Sequence, residues 1–532
     1  MVKDLPEMHF KPIRFFVLLL SITCLFGNAR AQQVFNYIPD STFDGNGLKN
    51  FIYFNNIDRI YGCTMQPDGK LLTAGLSKNP ATGSFELCIT RLDSAGDFDL
   101  SFGSSLGTAY VSLGSTQSIG GMLPKVRVDA DGRIVAIAYG SKPNGFSIDM
   151  VICRLDSNGV LDPTFNSNGV LFIDMTGADT QPDQVSGIDF DASGNIWVAG
   201  ATRTGFSPLD NDFAVAKIRP NGTLDPSFNG TGKKLFNPTG IAEFSSSLKV
   251  DANGKIVVGG TAGANMFVMR FDSTGALDNT FNSNGTLTVA FQLGSDMADM
   301  GIDSQGRIVV SGQLSTSASN VAVARILPNG TFDLNFGFNG KYSYNVGNSA
   351  SFITSMHIQP DDKIVLGGYN TTTTGGNDFM ATRVDTGGVI DITFNTLGFV
   401  TQSVIPGVIN EEGNGMAVMD DGRIVLTGTI VYSSAVNEDV AIVRLRPVPA
   451  SSTGISETNA DSPLRVGPNP FRSELTIASR IASDATVMDS RGRTVLSFRI
   501  AEGINRLDTS SLPAGMYMLQ IPGTASMKII KE

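Results

Sequence analysis

An all-β fold, a seven-bladed β-propeller followed by a small β-sandwich, is predicted by three observations. An Asp-x-x-Phe signature recurs seven times, as Asp40/Phe43, Asp99/Phe102, Asp162/Phe165, Asp225/Phe228, Asp278/Phe281, Asp333/Phe336 and Asp391/Phe394, with Phe spacings of 59, 63, 63, 53, 55 and 58 residues. A tight-turn signature recurs in step with it. The composition, with 59 glycines and only 17% charged residues, favours short strands and turns over helices. A period of this length marks an array of one supersecondary unit.

The chain opens on a removable leader. Lys11 and Arg14 precede the apolar run from Phe15 to Phe26, and Ala29-Arg30-Ala31 forms a small-residue cleavage site. Cleavage between Ala31 and Gln32 is expected, with residues 1–31 as signal peptide. Met8 is an alternative start to Met1. After cleavage Cys63, Cys88 and Cys153 remain, an odd number without CxxC spacing, and buried free thiols are expected.

Within residues 32–446 each unit reads in the same order. A turn such as Asp131-Gly132-Arg133 or Asn253-Gly254-Lys255 joins strands A and B. Gly, Asn or Asp there supplies the positive φ of a tight hairpin. Strand C is apolar on both parities and ends in a basic residue: Arg91, Arg154, Lys217, Arg270, Arg325, Arg383 or Arg444. Such a strand is buried on both faces. The Asp-x-x-Phe turn and a fourth strand complete the unit, and four-stranded sheets repeated radially are propeller blades. Each signature Phe is expected to be buried between neighbouring blades. The phase of the signatures places the last blade's fourth strand at the N-terminus, near residues 46–54. Its pairing with the C-terminal end of the array closes the ring and removes free sheet edges. An ion pair between each signature Asp and the strand C cation is expected.

The pattern "DGK-I-V-x-G … R-L-D-x-x-G-x-L-D-x-x-F" resembles the delta-60 repeat of bacterial secreted and surface proteins, over residues of about 38 to 446. The resemblance implies a propeller-like array and no defined activity.

Residues 447–463 read as a polar linker. In residues 464–532 the repeat stops, and short strands separated by turns suit an Ig-like β-sandwich. The opening Pro468-Asn469-Pro470-Phe471, the stretch containing Gly515 and Tyr517, and the end carrying Lys528 and Lys531 resemble the type A sorting domain of the type IX secretion system in Bacteroidetes. That resemblance implies export through the periplasm by this machinery to the cell surface or medium.

The net charge of −11 excludes a phosphate-neutralising surface, so nucleic acid is not an expected partner. No mature segment is long and apolar enough to span a bilayer. Only His9 and His357 occur, which excludes histidine-rich metal sites; His357 falls inside a strand A and is expected to pack there. Acidic residues at the start of strand C, Asp149, Asp212, Asp378 and Asp439 among them, are candidate Ca²⁺ ligands. Their recurrence in every blade favours turn capping instead. No cofactor is expected. The sequence thus points to a monomeric scaffold or binding module for a glycan or surface protein, with specificity in the variable B–C loops. The alternative is a polysaccharide lyase or glycosidase using non-repeated carboxylates such as Asp210, Glu411 and Glu412.

Overall fold

The computed structural model describes residues 33–531 except 55–56, 115–123, 143–146, 178–180, 206–210, 316–319, 348–349, 373–375, 406–409, 433–437, 451–463, 468–472, 480–481, 490–492, 502 and 522–526. The expected cleavage site at Ala31/Gln32 and the Pro468–Phe471 motif lie outside these residues. Among the described residues there is no helix.

Six four-stranded antiparallel units and the first three strands of a seventh succeed one another from residue 58 to residue 449. Their first strands, A, are Asp58–Met65, Lys125–Val128, Asp183–Phe190, Glu243–Val250, Ser295–Ile302, Ser351–Ile358 and Asn410–Val418. Strands B and C are buried along nearly their whole length, as in Ile134–Gly140 and Asp149–Leu155. Strand A alternates buried and half-buried positions, because one of its faces turns away from the sheets. The fourth strands are short and lie at the outer edge, as in Lys233–Phe236. Hydrophobic clusters fill the space between successive blades. One of them joins Trp197, Phe213 and Phe228 of blade 3 to Leu248, Phe267 and Phe271 of blade 4. Stability therefore resides between sheets, and a blade without its neighbours would expose an apolar face.

Ring closure uses the chain ends. The last strand C, Glu438–Pro449, pairs with Leu48–Phe51 in the register Leu48↔Val443. It also pairs with Phe35–Pro39, from Phe35↔Pro449 to Pro39↔Leu445. This last strand runs three residues into the segment read as linker. The Phe35–Pro39 strand went unseen in the sequence, and it reaches the neighbouring blade as well: Asn395 N–H donates to the Phe35 carbonyl at 2.6 Å. Elsewhere the residue after the signature Phe donates to the next blade's C–D turn, for example Asn166 to Asn221 at 2.8 Å. The N-terminal segment thus supplies a bond that the missing turn would have made.

The C-terminal module has a three-stranded sheet (Leu464–Gly467, Glu474–Ser479, Gly503–Asp508) and a four-stranded one (Thr494–Ile500, Ser483–Asp489, Gly515–Gln520, Met527–Lys531). Both sheets contribute to one core containing Leu475, Ile477, Val487, Tyr517, Leu519 and Ile529. The Tyr517 hydroxyl donates to the Pro513 carbonyl at 2.7 Å, so a buried ring keeps its polar tip satisfied. Gly515 and Lys528 lie in the last two strands with Tyr517 and Lys531.

Candidate functional site

The repeated polar residues are absorbed by the frame. In every blade the signature carboxylate divides its oxygens: Oδ1 accepts the N–H two residues on, as in Asp162 with Thr164 at 2.9 Å, and Oδ2 meets the strand C cation. The seven ion pairs are Arg91–Asp99, Arg154–Asp162, Lys217–Asp225, Arg270–Asp278, Arg325–Asp333, Arg383–Asp391 and Arg444–Asp40, all between 2.8 and 3.0 Å. Burial opposes ionisation of these carboxylates. The hydrogen bonds and the cation outweigh it, and hold Asp40, Asp162, Asp278 and Asp391 below their ordinary range.

The signature rings are just as fully committed. Arg91 lies over Phe102, Arg154 over Phe165, Arg270 over Phe281, Arg325 over Phe336, Arg383 over Phe394 and Arg444 over Phe43, each 4.5 to 5.1 Å from the ring centroid. Recurrence singles these rings out in the sequence, but the structure makes them core and not members of a site. Phe102 packs in the cluster between blades 1 and 2, Phe165 in that between blades 2 and 3, and Phe281 in that between blades 4 and 5. Phe336 fills the boundary of blades 5 and 6, and Phe394 that of blades 6 and 7. All seven, Phe43 and Phe228 included, have at most 1% of their surface exposed, so none can meet a ligand.

Arg270, Arg325 and Arg444 continue to a carbonyl of the next blade, Pro328 at 2.7 Å, Thr386 at 2.9 Å and Ser94 at 2.6 Å. Blade 3 departs from the pattern. Lys217 lies over Trp197 instead, and Lys234 makes the cross-blade bond, to Gly275 at 2.7 Å. Such a unit brackets two blades and leaves no group for chemistry.

Of the strand C carboxylates, Asp149 and Asp439 are spent locally, each in its own blade. Asp149 is fully buried against Lys142 at 2.9 Å, and Asp439 accepts the Tyr432 hydroxyl at 2.8 Å. Asp212 borders a small depression of about 180 Å³ with Asn211 and Asn237. Asp378 stands opposite Asn370 in the sheet. Among the described residues no three His, Cys, Asp or Glu side chains converge as a metal site. Of the non-repeated carboxylates, Asp210 lies outside the described residues. Glu411 is fully buried and accepts the N–H groups of Val404 (2.8 Å) and Ile405 (2.8 Å).

Glu411 belongs to a set the sequence reading missed. Asp58, Asp183, Glu243 and Glu411 stand at or next to the start of strand A, at one fixed distance ahead of the A–B turn, and all are buried. They tie down the loop that enters the blade: Asp58 takes Tyr53 N–H at 2.8 Å and Asp183 takes Met175 N–H at 2.7 Å. Burial pushes Asp183 up to about 7, against the pull of that bond. Aligning the seven turns would have revealed the position, but Gly121, Ser295 and Ser351 occupy it in three blades and hide the pattern.

What remains is the central channel, which encloses about 650 Å³ and is walled by the strands A. Sheet register sorts its wall into two tiers of equivalent residues. The first holds Gly62, Lys125, Gly187, Ser247, Asp299, Ser355 and Gly415, each opposite the fourth residue of strand B. The second holds Thr64, Arg127, Asp189, Lys249, Gly301, His357 and Ala417, each opposite the second residue. The first tier is narrow: a Cβ on Gly187 would meet Leu248 N at 2.7 Å, and one on Gly62 would meet the Pro124 carbonyl at 2.8 Å. Adjacent strands nearly touch there, which accounts for the small residues.

The charges in these tiers do not repeat. Lys125 reaches past blade 3 to the Ser246 carbonyl at 3.0 Å. Burial, with the like charge of Lys249 and Arg127 nearby, lowers Lys125 to about 8 even though Asp299 opposes the shift. Asp299 accepts Met300 N–H (2.8 Å) and Met356 N–H (3.0 Å), and Asp189 accepts Val250 N–H (2.8 Å). His357 lines this channel and does not pack in a blade core, contrary to the expectation from sequence. Burial and the charges of Arg127 and Lys249 hold it below the ordinary 6.5, so it is neutral at physiological pH. The free thiols Cys63, Cys88 and Cys153 are buried, and burial raises Cys153 to about 12.

Comparison with known proteins fits this division. Residues 465–532 match the family described as "Secretion system C-terminal sorting domain". Residues 66–102, 130–165, 192–228, 252–281 and 304–336 match "Domain of unknown function (DUF5122) beta-propeller". The chain therefore carries a type IX sorting domain behind a propeller of DUF5122 repeats, and it is exported through the periplasm to the cell surface or medium.

No curated protein matches the chain. Among solved structures, a streptogramin B lyase shares 12% identity, covering 75% of this chain and 97% of its own, with a TM-score of 0.43. The polysaccharide lyase Uly1 shares 10%, covering 78% and 98%, with a TM-score of 0.42. A protein of unknown function from Dyadobacter fermentans shares 13%, covering 75% and 100%, with a TM-score of 0.40.

Proposed function

We propose that the exported propeller is a binding module whose ligand, a glycan or part of a surface protein, enters the central channel. One observation carries this reading. The residues that recur in all seven blades are consumed by the frame, whereas the polar residues that differ from blade to blade gather on the channel wall. A recurring residue serves the repeat, and a single site needs residues that occur once. The B–C loops, where sequence variation first directed attention, lie largely outside the described residues.

A second reading, a channel lyase, is favoured by a neutral His357 facing the same space, since an uncharged imidazole is a proton acceptor. The mature chain on a glycan array, run beside a depolymerase assay, separates the two. Binding without new chain ends is expected; accumulation of cleaved product would install the enzymatic reading.

For export, truncation after Ala450 preserves the whole closing strand and removes the sorting domain. Such a chain should fold and stay in the periplasm. Its appearance outside the cell would reassign the C-terminal module to adhesion.

A further inference from the structure

We infer that the central channel is selective for an oxyanion, a carboxylate or sulfate carried by a small acidic sugar. The inference rests on the channel-binding reading above and names its ligand class. The whole chain carries a net charge of −11, yet Lys125, Arg127 and Lys249 all line this one channel. Elsewhere in the propeller the basic residues of strand C and of most A–B turns lie against carboxylates, as Arg307 does with Asp303 at 2.6 Å. Among the described residues Arg127, Lys249 and Lys125 are in no ion pair.

The two carboxylates beside them, Asp189 and Asp299, are already engaged with backbone N–H groups of neighbouring blades. His357 adds no charge, so three cations face two acids and one positive charge is left over. Low-dielectric walls concentrate the field of such an excess. Arg127 and Lys249 stand in one tier, in blades 2 and 4, while Gly301, Ala417 and Thr64 of that tier leave space across from them. A guanidinium and an ammonium lining one partly desolvated space are the donors that hold an oxyanion by charge-assisted bonds. The volume suits a ligand of one or two sugar rings.

The test is calorimetric titration of the mature chain at fixed ionic strength with glucuronate and galactose 6-sulfate, each beside its neutral sugar, glucose or galactose. Each acid that enters should bind at least tenfold more tightly than its neutral counterpart. Arg127→Gln/Lys249→Gln should lose that preference, while Lys249→Arg should keep it, with circular dichroism establishing that each variant is folded. Binding of glucuronate alone assigns a carboxylate, and binding of the sulfate ester alone assigns a sulfate. Binding of neither acid, equal affinity for acid and neutral sugar, or an undiminished preference in the double variant overturns the inference. A glycan-array signal from neutral glycans together with that result would leave the binding reading standing and remove only the oxyanion.

Discussion

The blade rim and the channel wall are built from the same repeat, and they treat charge in opposite ways. On the rim, Asp278 and Arg270 meet at 3.0 Å, each with its remaining polar atoms bonded, and the six other blades repeat the ion pair. On the channel wall, Arg127, Asp189 and Lys249 occupy one register position in three successive blades and share no ion pair. The rim shows what the fold requires of charge, namely mutual satisfaction. The wall shows what is left when the fold requires nothing. Charge without an ion-pair partner there costs desolvation, visible in the lowered Lys125 and Lys249, and only single hydrogen bonds to backbone, such as that from Lys125 to the Ser246 carbonyl, offset it.

The largest expected effect would break the rim side of this contrast. Deleting residues 33–54 removes both closing strands, the Asp40 partner of Arg444 and the Phe43 ring beneath it. The last blade is then left with an open edge. Expression of that chain should yield insoluble protein; a soluble monomer by light scattering would show that the ring is held otherwise.

Next comes Phe228→Ala. The ring is fully buried, 5.0 Å from Trp197 and 6.1 Å from Phe271 across the blade 3–blade 4 boundary. Its loss should cost about 3–5 kcal/mol. Trp197 is the chain's single tryptophan, so its emission during urea unfolding reports the change directly. An unchanged midpoint would mean that the signature Phe is not what locks adjacent blades.

Asp183 sharpens the comparison from a third side, as a repeated position whose charge is disfavoured. Its folded value of about 7 lies above the ordinary 3.8, so between about pH 4 and 7 the native state keeps a proton that the unfolded state has released. Stability should fall as pH rises through that window. Asp183→Asn should reduce the slope and gain on the order of 2 kcal/mol over the native chain at pH 8, with little difference at pH 4. Urea midpoints at the two pH values decide it. Identical slopes in both proteins would show that Asp183 ionises freely.

The smallest effect belongs to the channel. Arg127→Gln/Lys249→Gln should leave stability within about 0.5 kcal/mol of the parent, since neither residue supports a blade contact. A loss of several kcal/mol in the same urea titration would place these cations in the frame after all.

How much was legible in the sequence follows the same division. The seven turns, the two-faced strand C and the Asp-x-x-Phe signature repeat, so their shared geometry is written seven times over. Even Asp362, which stands where most blades have a turn glycine, keeps a φ of 60°. The strand Phe35–Pro39 was not legible because it has no counterpart in any blade and ends in a proline. The channel residues were not legible for a different reason. A lone Arg127 or His357 inside an apolar strand looks like any half-buried position until seven strands are brought side by side, and only the register then shows them facing one space.

Hydrogen exchange of the mature chain, with and without the ligand found on the array, tests the central claim most directly. The account predicts new protection concentrated in the strands A, at residues 124–128, 247–250, 299–302 and 354–358, with the outer strands unchanged. Protection confined to the B–C loops at 202–211, 370–376 and 431–437, with the strands A unaffected, would contradict it.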